Sequence, residues 1–172
     1  MEETLSSKTL HVGKHFSFKL DQVKLDNGTE IERQVVDHPG AVAIVAVHEG
    51  DIVLIRQYRY ATQSEILEIP AGTLEVGEDP YACAVRELQE ETGYAASDWT
   101  KLLSAYVAPG YSNEMIHIYS AEGLTPVGSN LEEDESIVVE KYSFEKVLEM
   151  IESNTIKDAK TITGVLAYLT TS

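Results

Sequence analysis

The chain has a single cysteine among its 172 residues, Cys83. It has no partner within the chain, so an internal disulfide framework and a cysteine-based metal cluster are both excluded. Long apolar runs are also missing. The longest, Ala41–Val47, is far too short to span a bilayer. The opening MEETLSSKTL has neither a basic start nor an apolar stretch, so no secretory signal is expected and the cytoplasm is the expected location. Positive charge is scarce. Thirteen Lys and Arg stand against 29 Asp and Glu, for a formal net charge of −16. Such a surface repels phosphate backbones and anionic membranes, which excludes general nucleic-acid and membrane binding. The five histidines form no HExxH or other metal-ligand spacing.

The chain is rich in clustered acid. Glu65–Glu91 holds eight carboxylates and Glu132–Glu135 holds four more. Two such clusters in one small domain call for cations. An acidic site of this kind still takes an anionic substrate when divalent metal bridges the two. The 43% hydrophobic content is that of an ordinary globular domain, long enough to bury a core without staples.

Strand signals dominate the first part: Phe16–Leu25, the turn Asp26-Asn27-Gly28, then Thr29–Val36, Ala41–His48, Ile52–Tyr58 and Glu65–Ile69. Pro70–Gly77 reads as a loop. Asp79 is a good N-cap with Pro80 in the first turn, and the helix they start is expected to run to Thr92 and stop at Gly93. Lys101–Ala108, Met115–Ala121 and Ile137–Tyr142 follow as strands. Helices capped by Ser143 and Asp158 close the chain. Strands, one helix, more strands and then helices predict an α+β fold, an α/β/α sandwich around a mixed sheet. No GxGxxG or GxxxxGK[ST] phosphate loop is present.

On a helical wheel, Tyr81, Ala84, Val85, Leu88 and Thr92 share the face expected to pack on the sheet. Cys83 is expected to point away from the site and to be inert. Glu87 and Glu91 lie one turn apart on a flank, and Glu90 lies one turn after Arg86. Carboxylates so crowded repel one another and sit at the negative end of the helix dipole. A hard cation, Mg²⁺ or Mn²⁺, relieves both penalties.

The full pattern is Gly72, five residues, Glu78, seven residues, Arg86-Glu87-Leu88, one residue, Glu90-Glu91, one residue, Gly93. It resembles the Nudix box, and chance would produce its seven positions other than Leu88 in a chain of this length at about 10⁻⁶. Tyr94 departs from the pattern, which prefers an aliphatic residue there. Pro109, sixteen residues beyond Gly93, together with ERQVVDHPGAVAIVAV, IRQYRY, EILEIPAGTLEVGE and the DAK of Asp158–Lys160, resembles the ADP-ribose pyrophosphatase subfamily. The resemblance covers residues 15–169.

It implies a Nudix-type sandwich with an N-terminal antiparallel sheet. Residues 1–40 would form a strand region for dimerisation and substrate contacts, and residues 41–172 the hydrolase domain. The implied reaction is metal-dependent hydrolysis of ADP-ribose to AMP and ribose 5-phosphate. The alternatives are another nucleotide sugar or ADP-linked compound as substrate, or a non-catalytic nucleotide-sensing module. The last predicts eroded metal carboxylates, whereas Glu87, Glu90 and Glu91 are all present. By the same resemblance these three and the Ala71 carbonyl would hold Mg²⁺ or Mn²⁺, and Glu78 with Arg86 would orient the loop against the helix. Gly72, Arg33, Arg59, Glu68 and Glu114 would contact substrate, with Phe16, Phe18 or Tyr111 available to stack on adenine. A base separate from the metal-bound carboxylates is needed. The subfamily's Glu-x-Glu pair matches Glu133, the expected base, and Glu135, an outer metal contact. The expected partners are a small nucleotide and a second copy of the chain, whose site Arg33 would serve.

Overall fold

The structure is a computed structural model that describes residues 1–130 and 136–171. Three strands open the chain, β1 (Glu3–Val12), β2 (Ser17–Lys24) and β3 (Glu30–Asp37), and form an antiparallel sheet in the order β1-β2-β3. The β2–β3 turn closes at Asp26-Asn27-Gly28, where Asn27 Oδ1 accepts the Thr29 N–H at 3.0 Å and Gly28 takes φ 83°. The sequence pattern had left β1 unassigned. All ten of its residues are exposed, so it carries no buried alternation from which a strand could be read.

The main sheet begins with β4 (Ala41–His48) and β5 (Asp51–Arg59), joined by Glu49 (φ 54°) and Gly50 (φ 90°), the left-handed pair a tight hairpin requires. These strands pair only near that turn, from Ala46↔Val53 to His48↔Asp51, and then diverge. Two short strands enter the split. β6 (Ser64–Glu68) pairs with β5, and β7 (Ala71–Thr73) pairs with β4. The Pro70 carbonyl between them accepts the Ile44 N–H at 2.8 Å. This wedge brings the backbone of residues 69–73 to the centre of the molecule.

Helix α1 (Pro80–Thr92) follows, then β8 (Tyr94–Ala95), β9 (Asp98–Tyr106), β10 (Met115–Glu122), β11 (Thr125–Pro126), β12 (Ile137–Ser143), α2 (Phe144–Glu152) and α3 (Ala159–Thr171). The sheet order is β12-β5-β4-β10-β9, with β4–β10 its parallel contact. The unbroken apolar run of β4 follows from burial on both faces. Val42, Ile44 and Ala46 pack with Ala84 and Leu88 of α1, while Ala43 and Val45 pack with Val147 of α2 and Val165 of α3. The result is the expected α/β/α sandwich around a mixed sheet. No described helix is long and apolar enough to cross a membrane.

The face of α1 differs from the wheel. The buried residues are Cys83, Ala84, Leu88, Glu91 and Thr92, while Tyr81 is 47% and Val85 39% exposed. The helix is rolled toward the wedge, which carries Cys83 into the core and turns Glu87 and Glu91 onto residues 71–72.

Candidate active site

Helix α1 is pinned at both ends. Asp79 Oδ1 accepts the N–H groups of Tyr81 and Ala82 at 3.0 and 3.1 Å, and Gly93, at φ 74°, donates to the Gln89 carbonyl at 2.9 Å. Its last two turns therefore meet the wedge in a fixed register. Glu91 Oε2 accepts the Ala71 N–H at 2.8 Å. Glu87 lies so close to Gly72 that a β-carbon there would overlap the carboxylate. The glycine is thus required by close approach rather than by an unusual φ.

Arg86 organises the other side. Its Nε and Nη2 each donate to Glu78 at 3.1 Å, while Nη1 donates to Glu87 at 2.7 Å and to Glu90 at 2.8 Å. Glu78 also accepts the Glu75 N–H at 2.9 Å, which closes the loop against the helix. The Arg86 guanidinium holds the Glu78 carboxyl below the usual carboxylate range, and Glu78 in turn raises Arg86. Burial pushes the Cys83 thiol up to about 12, so this sulfur stays protonated and is no nucleophile. It packs against Arg86 Nη2 at 3.3 Å, in contact with the site's framework rather than facing away.

These groups floor a cavity of about 850 Å³. Arg59, Ala71, Gly72, Glu87, Glu90 and Glu91 line it from below, and the β1–β2 tip, including His15 and Phe16, lines it from above. Glu68 lies at the foot of Arg59, accepting from its Nε at 2.6 Å and Nη2 at 3.0 Å. Arg33 and Tyr111 are elsewhere, in a second recess with Pro109, where Arg33 binds Glu2 at 2.6 Å. Glu114 does not line the cavity; its N–H donates to Ser112 Oγ at 3.1 Å. Phe18 is half-buried in β2. Glu133 and Glu135 lie outside the described residues. Sequence reasoning missed Gln57, which lines the cavity and whose buried Oε1 has no hydrogen-bond partner among the described residues, and Lys160, which binds Glu68. The quoted motifs IRQYRY and DAK contain both, but neither spacing tells what the side chain meets.

The NUDIX domain model matches residues 37–163. The chain belongs to the Nudix family. Its relatives include an ADP-ribose pyrophosphatase of Bacillus subtilis (strain 168), 41% identical over 163 residues, covering 93% of this chain and 88% of that protein. A methanol dehydrogenase activator of Bacillus methanolicus is 40% identical over 167 residues, covering 95% and 90%. A solved structure described as an ADP compounds hydrolase superposes at a TM-score of 0.86, covering 97% of this chain and 91% of that one. At 24% identity it shows the shared fold.

Nudix pyrophosphatases depend on divalent metal as a class, and the donor set here fits one. Three carboxylates and the Ala71 carbonyl are hard oxygen ligands, and Gly72 keeps the floor open for Glu87. Among the described residues, no three acidic, histidine or cysteine side chains already converge tightly enough to chelate an ion. Arg86 accounts for that arrangement, since its Nη1 draws Glu87 and Glu90 onto itself.

Proposed function

We propose that the protein hydrolyses the pyrophosphate bond of ADP-ribose to AMP and ribose 5-phosphate, in the cytoplasm, using Mg²⁺ with Mn²⁺ as a substitute. The observation that carries this reading is the seating of Glu87 and Glu91 against Gly72 and Ala71 on a cavity floor, on a chain 41% identical to an ADP-ribose pyrophosphatase. A bound divalent ion supplies charge neutralisation for the pyrophosphate and activation of water. The chain does the rest. Glu87, Glu90, Glu91 and the Ala71 carbonyl hold the ion. Glu78 keeps Arg86 and the loop in place. Arg59 grips a phosphate oxygen, with Glu68 behind it. Phe16 offers a face to the adenine. Glu133 takes the proton as the water oxygen bonds to phosphorus and the bridging oxygen leaves, and Glu135 would give an outer contact to the metal.

Residues 1–40 serve as an arm to a hydrolase body of residues 41–172, and the arm's sheet joins two copies of the chain. Support comes from β1, a ten-residue strand exposed throughout that carries half-exposed Leu5 and Leu10 and open Val12. Such a dimer gives Arg33 and Glu114 a route to a site that neither reaches within one chain. The test of the substrate is product chromatography with Mg²⁺ across ADP-ribose, ADP-glucose, GDP-mannose and NADH. ADP-ribose is expected to be consumed fastest, and preference for another of the four moves the assignment to that compound.

A further inference from the structure

Four charged side chains alternate in sign in a chain that begins at Arg59. Glu68, the last residue of β6, is 1% exposed. It accepts Arg59 Nε at 2.6 Å, Arg59 Nη2 at 3.0 Å and Lys160 Nζ. Lys160 also lies 3.0 Å from Asp158 Oδ2, which accepts the Thr161 N–H at 3.0 Å and hydroxyl at 2.6 Å. The order is Arg59, Glu68, Lys160, Asp158. A buried carboxylate whose lone pairs are left unfilled is costly, and a single guanidinium edge leaves some of them open. Lys160 supplies a third donor. Capping does not explain Lys160: Asp158 already caps α3, and a cation in a helix's first turn faces the positive end of the dipole. Its placement is explained by Glu68.

The effect on Arg59 is geometric. Nε and Nη2 are committed to Glu68, which fixes the guanidinium plane and leaves Nη1 as the nitrogen not held by Glu68, on a side chain that lines the cavity. Without Lys160, Glu68 loses a donor, and Arg59 is the neighbouring cation able to compensate by being drawn further onto it. We propose that Lys160 is a positioning residue that, through Glu68, holds Arg59 in the orientation that grips a pyrophosphate oxygen. This rests on the reading of the cavity as a pyrophosphate site.

The test is a double-mutant cycle of Lys160→Met with Arg59→Gln, reading KM and kcat for ADP-ribose and calorimetric binding of inorganic pyrophosphate, both with Mg²⁺. Lys160→Met is expected to raise KM and the pyrophosphate Kd about ten-fold, with kcat within about three-fold. Lys160→Arg should recover most of the loss. In the Arg59→Gln background, Lys160→Met should change neither quantity by more than about two-fold. Val165→Ala truncates a buried apolar side chain of α3 that has no place in the ion-pair chain, and should lower Tm without moving KM. If Lys160→Met does not fold, Lys160→Ala, which removes both the donor and the charge, carries the same comparison. An equal effect with and without Arg59, or unchanged pyrophosphate binding in a folded variant, overturns the proposal. A wild-type protein that ignores ADP-ribose but shows the Lys160-dependent pyrophosphate binding would sink the substrate assignment and leave the role of Lys160 standing.

Discussion

Gly72 sets the geometry of the cavity floor, because the volume a side chain would occupy there is filled by the Glu87 carboxylate. Gly72→Ala must therefore displace Glu87, and a displacement of about 1 Å at a catalytic group is worth roughly 10² in rate. Steady-state kinetics should show kcat falling by about that factor with the fold intact by circular dichroism. Near-normal kcat would mean that Glu87 has no fixed position to lose. At this scale the sequence was informative where the site is local. Gly72, Glu78, Arg86, Glu87, Glu90 and Glu91 fall within a single loop and helix, so their spacing is their geometry. It was uninformative where partners are distant in the chain. Glu68 meets Lys160 across 92 positions, and that the Gln57 oxygen has no partner among the described residues is a property of its surroundings alone.

Elements show the same division. The signals for α1, Asp79, Pro80 and Gly93, are each a single residue with a local physical reason, and all three stand where expected. The buried face of that helix was misjudged because hydrophobicity alone placed Val85 inwards and left Glu91 out, whereas the wedge between β4 and β5 accepts a carboxylate at the Ala71 N–H. Strands were legible where the main sheet buries them and where the Asp26-Asn27-Gly28 turn marks β2 and β3, and not in exposed β1. The β5–β12 contact permits a test of element pairing. Arg56 donates to Glu140 at 2.6 Å, and Tyr142 also donates to Glu140, which together hold its carboxyl below the ordinary 4.5. Between the folded value and 4.5 the unfolded chain binds more protons, so stability rises with pH through that window. The contribution is complete at neutral pH and is lost as pH falls through the folded value. Thermal unfolding should show Glu140→Gln below wild type at pH 7, with the gap narrowing as pH falls below 4.5. A gap of the same size above and below 4.5 would mean that the ion pair adds nothing.

At the scale of the whole molecule, the two halves of the chain differ in how they are held. The main sheet is sandwiched between helices. The N-terminal sheet meets it through β3, where Val36 N donates to the Tyr111 carbonyl at 2.8 Å and Asn113 bonds Asp37 at 2.8 Å. With β1 exposed over its full length, light scattering at micromolar concentration is expected to give the mass of two 19.0 kDa chains; a fully active monomer would remove the arm's proposed role. A net charge of −16 suits an enzyme that meets its anionic substrate only together with a cation. That is the central claim, that carboxylates at the end of α1 serve metal-dependent pyrophosphate hydrolysis. Its most direct test is chromatography of AMP and ribose 5-phosphate released from ADP-ribose by wild type and Glu91→Gln across a Mg²⁺ titration. Wild type should give no release without the ion and full release with it, and the folded variant should collapse at every concentration. Near-normal release by Glu91→Gln at saturating Mg²⁺ would contradict that claim.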